Sequence, residues 1–291
     1  MIRAVFNRKG GVGKSTITCN LAAVAAQQGK KALVVDIDPQ ANSTHYLGHD
    51  GNDNIVGIGE FFDSQINYSF RDLTADDFVR KTKFDNLYLI SANSDLIDLE
   101  SKLVSRHKIY KLRSFLKELS KIYDEIYIDT PPVLNFYSLS ALIACDKCII
   151  PFDCDVFSRK ALYELLENIK EVREDHNDEL EIEGIVINQF NAQARLPAEA
   201  VAELEAEGLP VLKPFLSSSI KIRESHREHK PVVFMSAKHK VAQEFTELYL
   251  RISGLWQEPE EVSKSADSQK SDSSESLSEA DTEEVEKQEV V

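Results

Sequence analysis

Apolar residues follow two alternating rhythms along this chain. Ile2 to Asn7 is a short β-rich run, and in Lys14 to Gln28 the residues Ile17, Leu21 and Val24 recur at helical spacing until Gly29 ends the pattern. Ala32-Leu33-Val34-Val35-Asp36-Ile37-Asp38 is almost unbroken in its apolarity, as a parallel strand covered by helices on both faces must be. Similar runs lie at Leu87 to Ile90, Glu125 to Asp129, Lys147 to Pro151 and Ile182 to Asn188. The periodicity predicts helices near 94–121, 135–144, 157–176 and 197–207, a further strand at Val211 to Leu216, and a closing helix near 238–253. Strand and helix in alternation imply an α/β fold: one doubly wound, mostly parallel sheet with helices on both faces. The stretch 49–85, rich in Gly, Asp and Asn, reads as a variable insertion, and no internal repeat is found.

Charge divides the chain. Across 291 residues, 34 Lys+Arg against 49 Asp+Glu make the net charge −15. From Gln257 to Val291 there are 12 acids and 3 lysines, a net of −9, so residues 1–256 carry only −6. That tail has eight Ser, no aromatic residue and no apolar period, so it cannot bury enough surface to offset its ordering entropy. The expected organisation is a folded domain over 1–256 and a disordered acidic tail over 257–291. Cys19, Cys145, Cys148 and Cys154 are too few and too clustered for a disulfide framework, which favours a reducing compartment. No apolar run approaches the roughly 18 residues of a membrane span, and the first residues lack the apolar core of a secretory signal. A cytoplasmic protein is expected.

The chemistry is concentrated after the first strand, in Lys9-Gly10-Gly11-Val12-Gly13-Lys14-Ser15-Thr16. Glycines let the backbone curl so that successive N–H groups face phosphate oxygens, and the helix that follows adds its positive N-terminus. Lys14 would reach the β and γ phosphates of ATP, and the Ser15 hydroxyl would ligate Mg²⁺. The usual pattern G-x-x-x-x-G-K-[ST] asks for Gly where Arg8 stands, so this is a variant loop with a second lysine, Lys9, at its mouth. Two acidic strand ends accompany it. In Asp36-Ile37-Asp38-Pro39-Gln40-Ala41-Asn42, strand alternation directs Asp36 and Asp38 the same way, towards the loop. In Ile126-Tyr127-Ile128-Asp129-Thr130-Pro131-Pro132, Asp129 suits a water-mediated contact to Mg²⁺.

With these segments in view, the chain resembles the ParA/MinD family of P-loop ATPases with a deviant Walker A motif, in particular the small ParA-type partition ATPases. The resemblance runs from Met1 to about residue 253, through KGGVGKST (9–16), DIDPQAN (36–42), YIDTPP (127–132), CIIPFD (148–153), VINQF (186–190) and IKIRESHREHKPV (220–232). It implies a P-loop NTPase fold and a weak, partner-stimulated ATPase whose ATP-bound homodimer binds DNA nonspecifically and works with a ParB-like partner, on the nucleoid. By the same resemblance Lys9 crosses to the partner subunit's ATP, Asp38 helps place the attacking water, with a contact to the metal also open to it, Asp129 is the Walker B acid and Asn188 touches adenine. The late segment departs from the family: Ser217, Ser218 and Ser219 stand where relatives commonly read Pro-Arg-Asn. With no DNA-reading segment ahead of Met1, sequence-specific operator binding is not expected.

Two basic clusters are candidates for DNA phosphates. One holds Lys221, Arg223 and Arg227, with Lys230 nearby and Glu224 and Glu228 between; the resemblance favours it. The other is a stripe of Lys102, Arg106, Arg113, Lys117 and Lys121 on one face of the predicted 94–121 helix. Rival readings are a MinD-like ATPase that cycles on a membrane through its last helix, or an adaptor that positions a protein assembly, and a metal-cluster carrier using Cys145 and Cys148. The net −9 tail directly behind Leu248, Ile252 and Leu255 argues against an anionic membrane, so no membrane partner is expected.

Overall fold

The computed structural model describes residues 1–49, 56–67, 73–154 and 158–258. Its strands are β1 (Ile2–Val5), β2 (Ala32–Asp36), β3 (Arg80–Lys81), β4 (Leu87–Ile90), β5 (Glu125–Asp129), β6 (Lys147–Asp153), β7 (Glu181–Asn188) and β8 (Val211–Leu212). The helices are α1 (Lys14–Gln27), α2 (Asn42–Tyr46), α3 (Ile58–Ser64), α4 (Leu96–Ser105), α5 (Lys111–Leu119), α6 (Phe136–Ala144), α7 (Ser158–Asp175), α8 (Arg195–Ala206), α9 (Ile220–Arg227), α10 (Val232–Met235) and α11 (Lys240–Ile252). One sheet takes the order β3-β4-β2-β5-β1-β6-β7-β8, parallel throughout except for the β3–β4 edge pair. The α/β fold class expected from the sequence is therefore the observed one.

The strands alternate between two cores. Leu33, Val35, Ile126 and Ile128 face the layer of α3 to α8, while Val34, Tyr127, Ile149 and Val186 face α1, α10 and α11. Burying each such large apolar side chain contributes roughly 1.5–3 kcal/mol. Ala22, Ala23, Ala25 and Ala26 make α1 small enough to lie close against both the sheet and α11, so it is buried on nearly every side. Leu248 and Phe245 of α11 are spent on that contact. Among the described residues no helix is long and apolar enough to cross a membrane.

Several local expectations are corrected. The 94–121 helix is two helices, broken around His107, whose φ of 53° no continuous helix can accommodate. The basic stripe is consequently not one helix face: Arg106 is turned to the Ile66 carbonyl, and Arg113 lies 3.6 Å from Glu179. Within 49–85, expected to be irregular, α3 drives Phe61 and Phe62 into the core, Phe61 stacking on Phe115 at 4.1 Å. The strand expected to reach Leu216 stops at Leu212, before Pro214, which has no N–H to continue the ladder. Met1–Trp256 packs as one compact unit. Most of the acidic tail, from residue 259 on, lies outside the described residues.

Candidate functional site

β1 is central, with β5 on one side and β6 on the other; the chain runs one way from β1 to β2 and the opposite way from β5, past β1, to β6. Ligands of open α/β sheets bind at the carboxyl ends of strands where the order reverses in this way. The loop that follows is pinned at its start. Thr130 donates to the Val5 carbonyl (2.7 Å), and Asn7 donates to Pro151 (2.6 Å) and accepts from the Lys9 amide (2.9 Å). Gly11 and Gly13 take φ of 77° and 91°, a region open to glycine and strained for other residues. Gly13 has a second reason to be glycine, because a Cβ there would stand 2.2 Å from the Asn188 amide nitrogen. Asn188 and Gln189 donate to the Val12 and Gly11 carbonyls at 2.8 and 2.9 Å, and so turn the loop's carbonyls away from its mouth.

Both lysines are held within the chain. Lys14 is buried and its Nζ donates to the Lys9 carbonyl (3.1 Å). Burial lowers its affinity for a proton, while nearby Asp129 and Asp38 oppose that effect. Lys9 reaches across to Asp153 at the end of β6, Nζ to Oδ2 at 2.7 Å, with both side chains part-exposed. Arg8, where the usual loop has Gly, points outward beside Asn168 and Glu164.

The acids divide by role. Asp129 is fully buried; its Oδ2 accepts from Ser43 (2.7 Å), while Oδ1 has no hydrogen-bond partner of normal geometry. Burial pushes its carboxyl up to about 6, and the Ser15 and Ser43 hydroxyls beside it pull the other way. Asp36 sits opposite Asp129 in the β2–β5 register. It does not face the loop as strand alternation suggested: β2 ends there, and both Thr44 donors, N–H and hydroxyl, bind Asp36 Oδ2 at 2.8 Å to anchor α2. Asp38, past the strand end, is buried and accepts from the Gln40 amide (2.9 Å).

The flank of the loop opens into a cavity of about 460 Å³, lined on one side by Gly11, Gly13, Thr16 and Asn188 and on the other by Ser217–Ser219 and Arg223. Lys221, Arg223 and Arg227 all fall on α9, where Arg223 and Arg227, four apart, share a face that Lys221 does not. Residues two apart on a helix project about 200° apart, so Lys221 and Arg223 leave α9 on different sides. Lys221 pairs with Glu224 (2.6 Å) and Arg227 with Glu228 (3.3 Å).

Residues 1–182 match the AAA-domain family. The chromosome partitioning protein ParA of Myxococcus xanthus is 31% identical over 249 residues, covering 85% of this chain and 86% of that protein. The chain belongs to the ParA/MinD family of P-loop ATPases. The sporulation initiation inhibitor Soj of Bacillus subtilis is 30% identical, covering 85% of this chain and 96% of its own. Among solved structures, cobyrinic acid a,c-diamide synthase from Mycobacterium smegmatis with a bound ATP analogue and magnesium superposes with a TM-score of 0.73 at 26% identity, covering 85% of this chain and 92% of that one.

This ParA/MinD-family ATPase also has site residues that sequence reasoning missed. Ser43 holds Asp129, and Asp153 holds Lys9. His226 of α9 meets Thr16 of the loop, Nε2 to Oγ1 at 2.9 Å, and stacks on Tyr46 of α2 at 4.0 Å. Burial lowers the His226 pKa. Asp153 was visible as the end of CIIPFD; Ser43 and His226 carry no local signal, being ordinary residues brought in by α2 and α9. Cys145 and Cys148 are buried thiols, with burial pushing Cys148 up to about 12.

Proposed function

We propose that this protein is an ATP-dependent dimerising ATPase that binds DNA nonspecifically and positions a cargo (a chromosome, a plasmid or a protein assembly) with a ParB-like partner. The observation that carries this reading is Lys9. A loop that already has Lys14 gains little from a second cation on the same phosphates, and Lys9 lies at its mouth on an ion pair it can exchange. The exchange we propose is from Asp153 to the nucleotide of a second subunit, as an arginine finger acts in trans.

Within one subunit, loop N–H groups from Gly10 to Thr16 cradle the phosphates and Lys14 leaves the Lys9 carbonyl for the β and γ phosphates. Buried Asp129, with one oxygen lacking a partner, fits a magnesium site: Ser15 would ligate the ion directly and Asp129 through water. The ion would supply charge neutralisation on the phosphates. Asp38 orients the attacking water. Asn188, already against the loop, moves to the adenine edge. Partner-stimulated hydrolysis then dissolves the dimer.

DNA contact falls to the solvent-facing cations Lys221 and Arg227 of α9, with Lys230 just beyond its end. Their glutamate partners are solvent-exposed, and such pairs are weak enough for DNA phosphates to replace. The MinD-like alternative is less favoured because the apolar face of α11 is buried on α1. The test is retention on random-sequence DNA and on anionic vesicles at about 50 and 200 mM salt, with ATP or ADP. ATP-dependent, salt-sensitive retention on DNA alone supports the reading. Retention on vesicles, or on neither, contradicts it.

A further inference from the structure

The cavity beside the loop holds a cation that a DNA role does not account for. Arg223 is exposed and makes no hydrogen bond or ion pair among the described residues, unlike its neighbours Lys221 and Arg227 on the same helix. It lines the cavity together with Gly11, Gly13 and Thr16. The position of α9 is fixed one turn further on, where His226 bonds Thr16 at 2.9 Å and stacks on Tyr46, while Ser225 bonds the Tyr46 hydroxyl at 2.7 Å. Arg223 and His226 are three apart and so lie on neighbouring parts of one helix face. Arg223 thereby shares the cavity with the first turn of α1, whose Ser15 and Thr16 N–H groups have no carbonyl partner within the helix.

A phosphate chain lying along this loop from Lys14 would bring its nucleoside end past Thr16, which lines this cavity. Val241, Phe245 and Ile222 form an apolar wall there, and Asn188, Gln189 and Ser217–Ser219 form a polar one, a division that suits a flat heterocycle with a polar edge.

We propose that Arg223 is a nucleotide-binding residue, closing the cavity over bound ATP or ADP and pairing with the α-phosphate. This rests on the reading of the loop as the ATP site. It removes Arg223 from the DNA surface and gives it to affinity for the nucleotide, whether or not a γ-phosphate is present.

The test is the affinity of full-length protein for MgADP and for a non-hydrolysable MgATP analogue, measured by calorimetry for wild type, Arg223→Met and Arg223→Lys. A charge-assisted contact to phosphate predicts a loss of roughly 10- to 100-fold in Arg223→Met, by the same factor for both nucleotides, with most of it restored in Arg223→Lys. Thermal melting without nucleotide should be the same for all three, since the side chain is exposed. Wild-type affinity in Arg223→Met overturns the proposal, as does an equal loss in both variants, which would mark the side chain as cavity wall. A wild-type protein that binds neither nucleotide would instead overturn the reading of the loop, and this proposal with it.

Discussion

Strand β5 carries a buried acid at each end, and the two are treated in opposite ways. Glu125, at the end remote from the loop, has both oxygens engaged: Oε2 accepts from Arg3 (2.9 Å) and Tyr127 (2.6 Å), and Oε1 accepts from Tyr249 (2.8 Å). Arg3 also bonds Glu183 Oε2 at 2.8 Å, and Lys147 lies 3.7 Å from Glu183 Oε1, so two cations meet the two carboxylates. Asp129, four residues along, has the Ser43 hydroxyl at 2.7 Å, the Ser15 hydroxyl beside it, one oxygen without a hydrogen bond of normal geometry and a second carboxylate, Asp36, opposite it in register. Both acids are removed from water, yet only one is complete. A buried charge left short of partners costs free energy, and one beside a phosphate-binding loop is where a ligand can complete it. The satisfied end holds the sheet together; the unsatisfied end is where chemistry is expected.

That contrast breaks first at Arg3. Arg3→Met would leave Glu125 buried without a cation and Glu183 with only the part-exposed Lys147 at 3.7 Å, and stability should fall by about 3–5 kcal/mol with nucleotide affinity per folded molecule unchanged. Urea unfolding beside calorimetry checks both halves; a loss of affinity in the folded fraction would mean that the two ends are not separable.

Lys14→Ala makes the opposite change. It removes the buried cation of the site end, and ATP affinity should fall at least about 100-fold while the apolar sheet stays folded. Nucleotide binding at wild-type strength would refute the site.

The smaller effect is a gain. The folded-state pKa of Asp129, about 6, lies above its ordinary 3.8, so the folded form holds this proton more tightly. The charged carboxylate is therefore a cost above pH 6 that disappears as pH falls towards 4. Asp129→Asn should stabilise the nucleotide-free protein by about 2–3 kcal/mol at pH 8, with the advantage shrinking through pH 6, while hydrolysis is lost. Equal stability of the two proteins at pH 8 would show that Asp129 is not the unsatisfied acid described here.

How far the sequence reveals this depends on the range of the contacts. The strands and the loop are legible because apolar runs and the glycine pattern are local, and Asp129 is legible because it ends an apolar run. Asp36 misled for a related reason: alternation continues only while the strand does, and β2 ends at Asp36. The break at His107 left no mark in the apolar period, since Leu103 and Leu112 stay buried on either side of it. Ser43 reaches Asp129 across 86 positions and Thr16 reaches His226 across 210, so no window of sequence contains both partners. The same holds for Arg223: as sequence it belongs to a basic cluster, and only the packing of α9 on Thr16 gives it to the cavity.

The central claim is that Lys9 acts on a second subunit while Asp38 acts on water. Light scattering with and without ATP, run beside a turnover assay on wild type, Lys9→Ala and Asp38→Ala, tests it most directly. The account predicts that Lys9→Ala binds ATP but stays monomeric and does not turn over, whereas Asp38→Ala becomes a dimer with ATP and stays one because hydrolysis no longer releases it. If the two variants behave alike, or if Lys9→Ala dimerises and hydrolyses ATP as wild type does, the cross-subunit role of Lys9 is wrong.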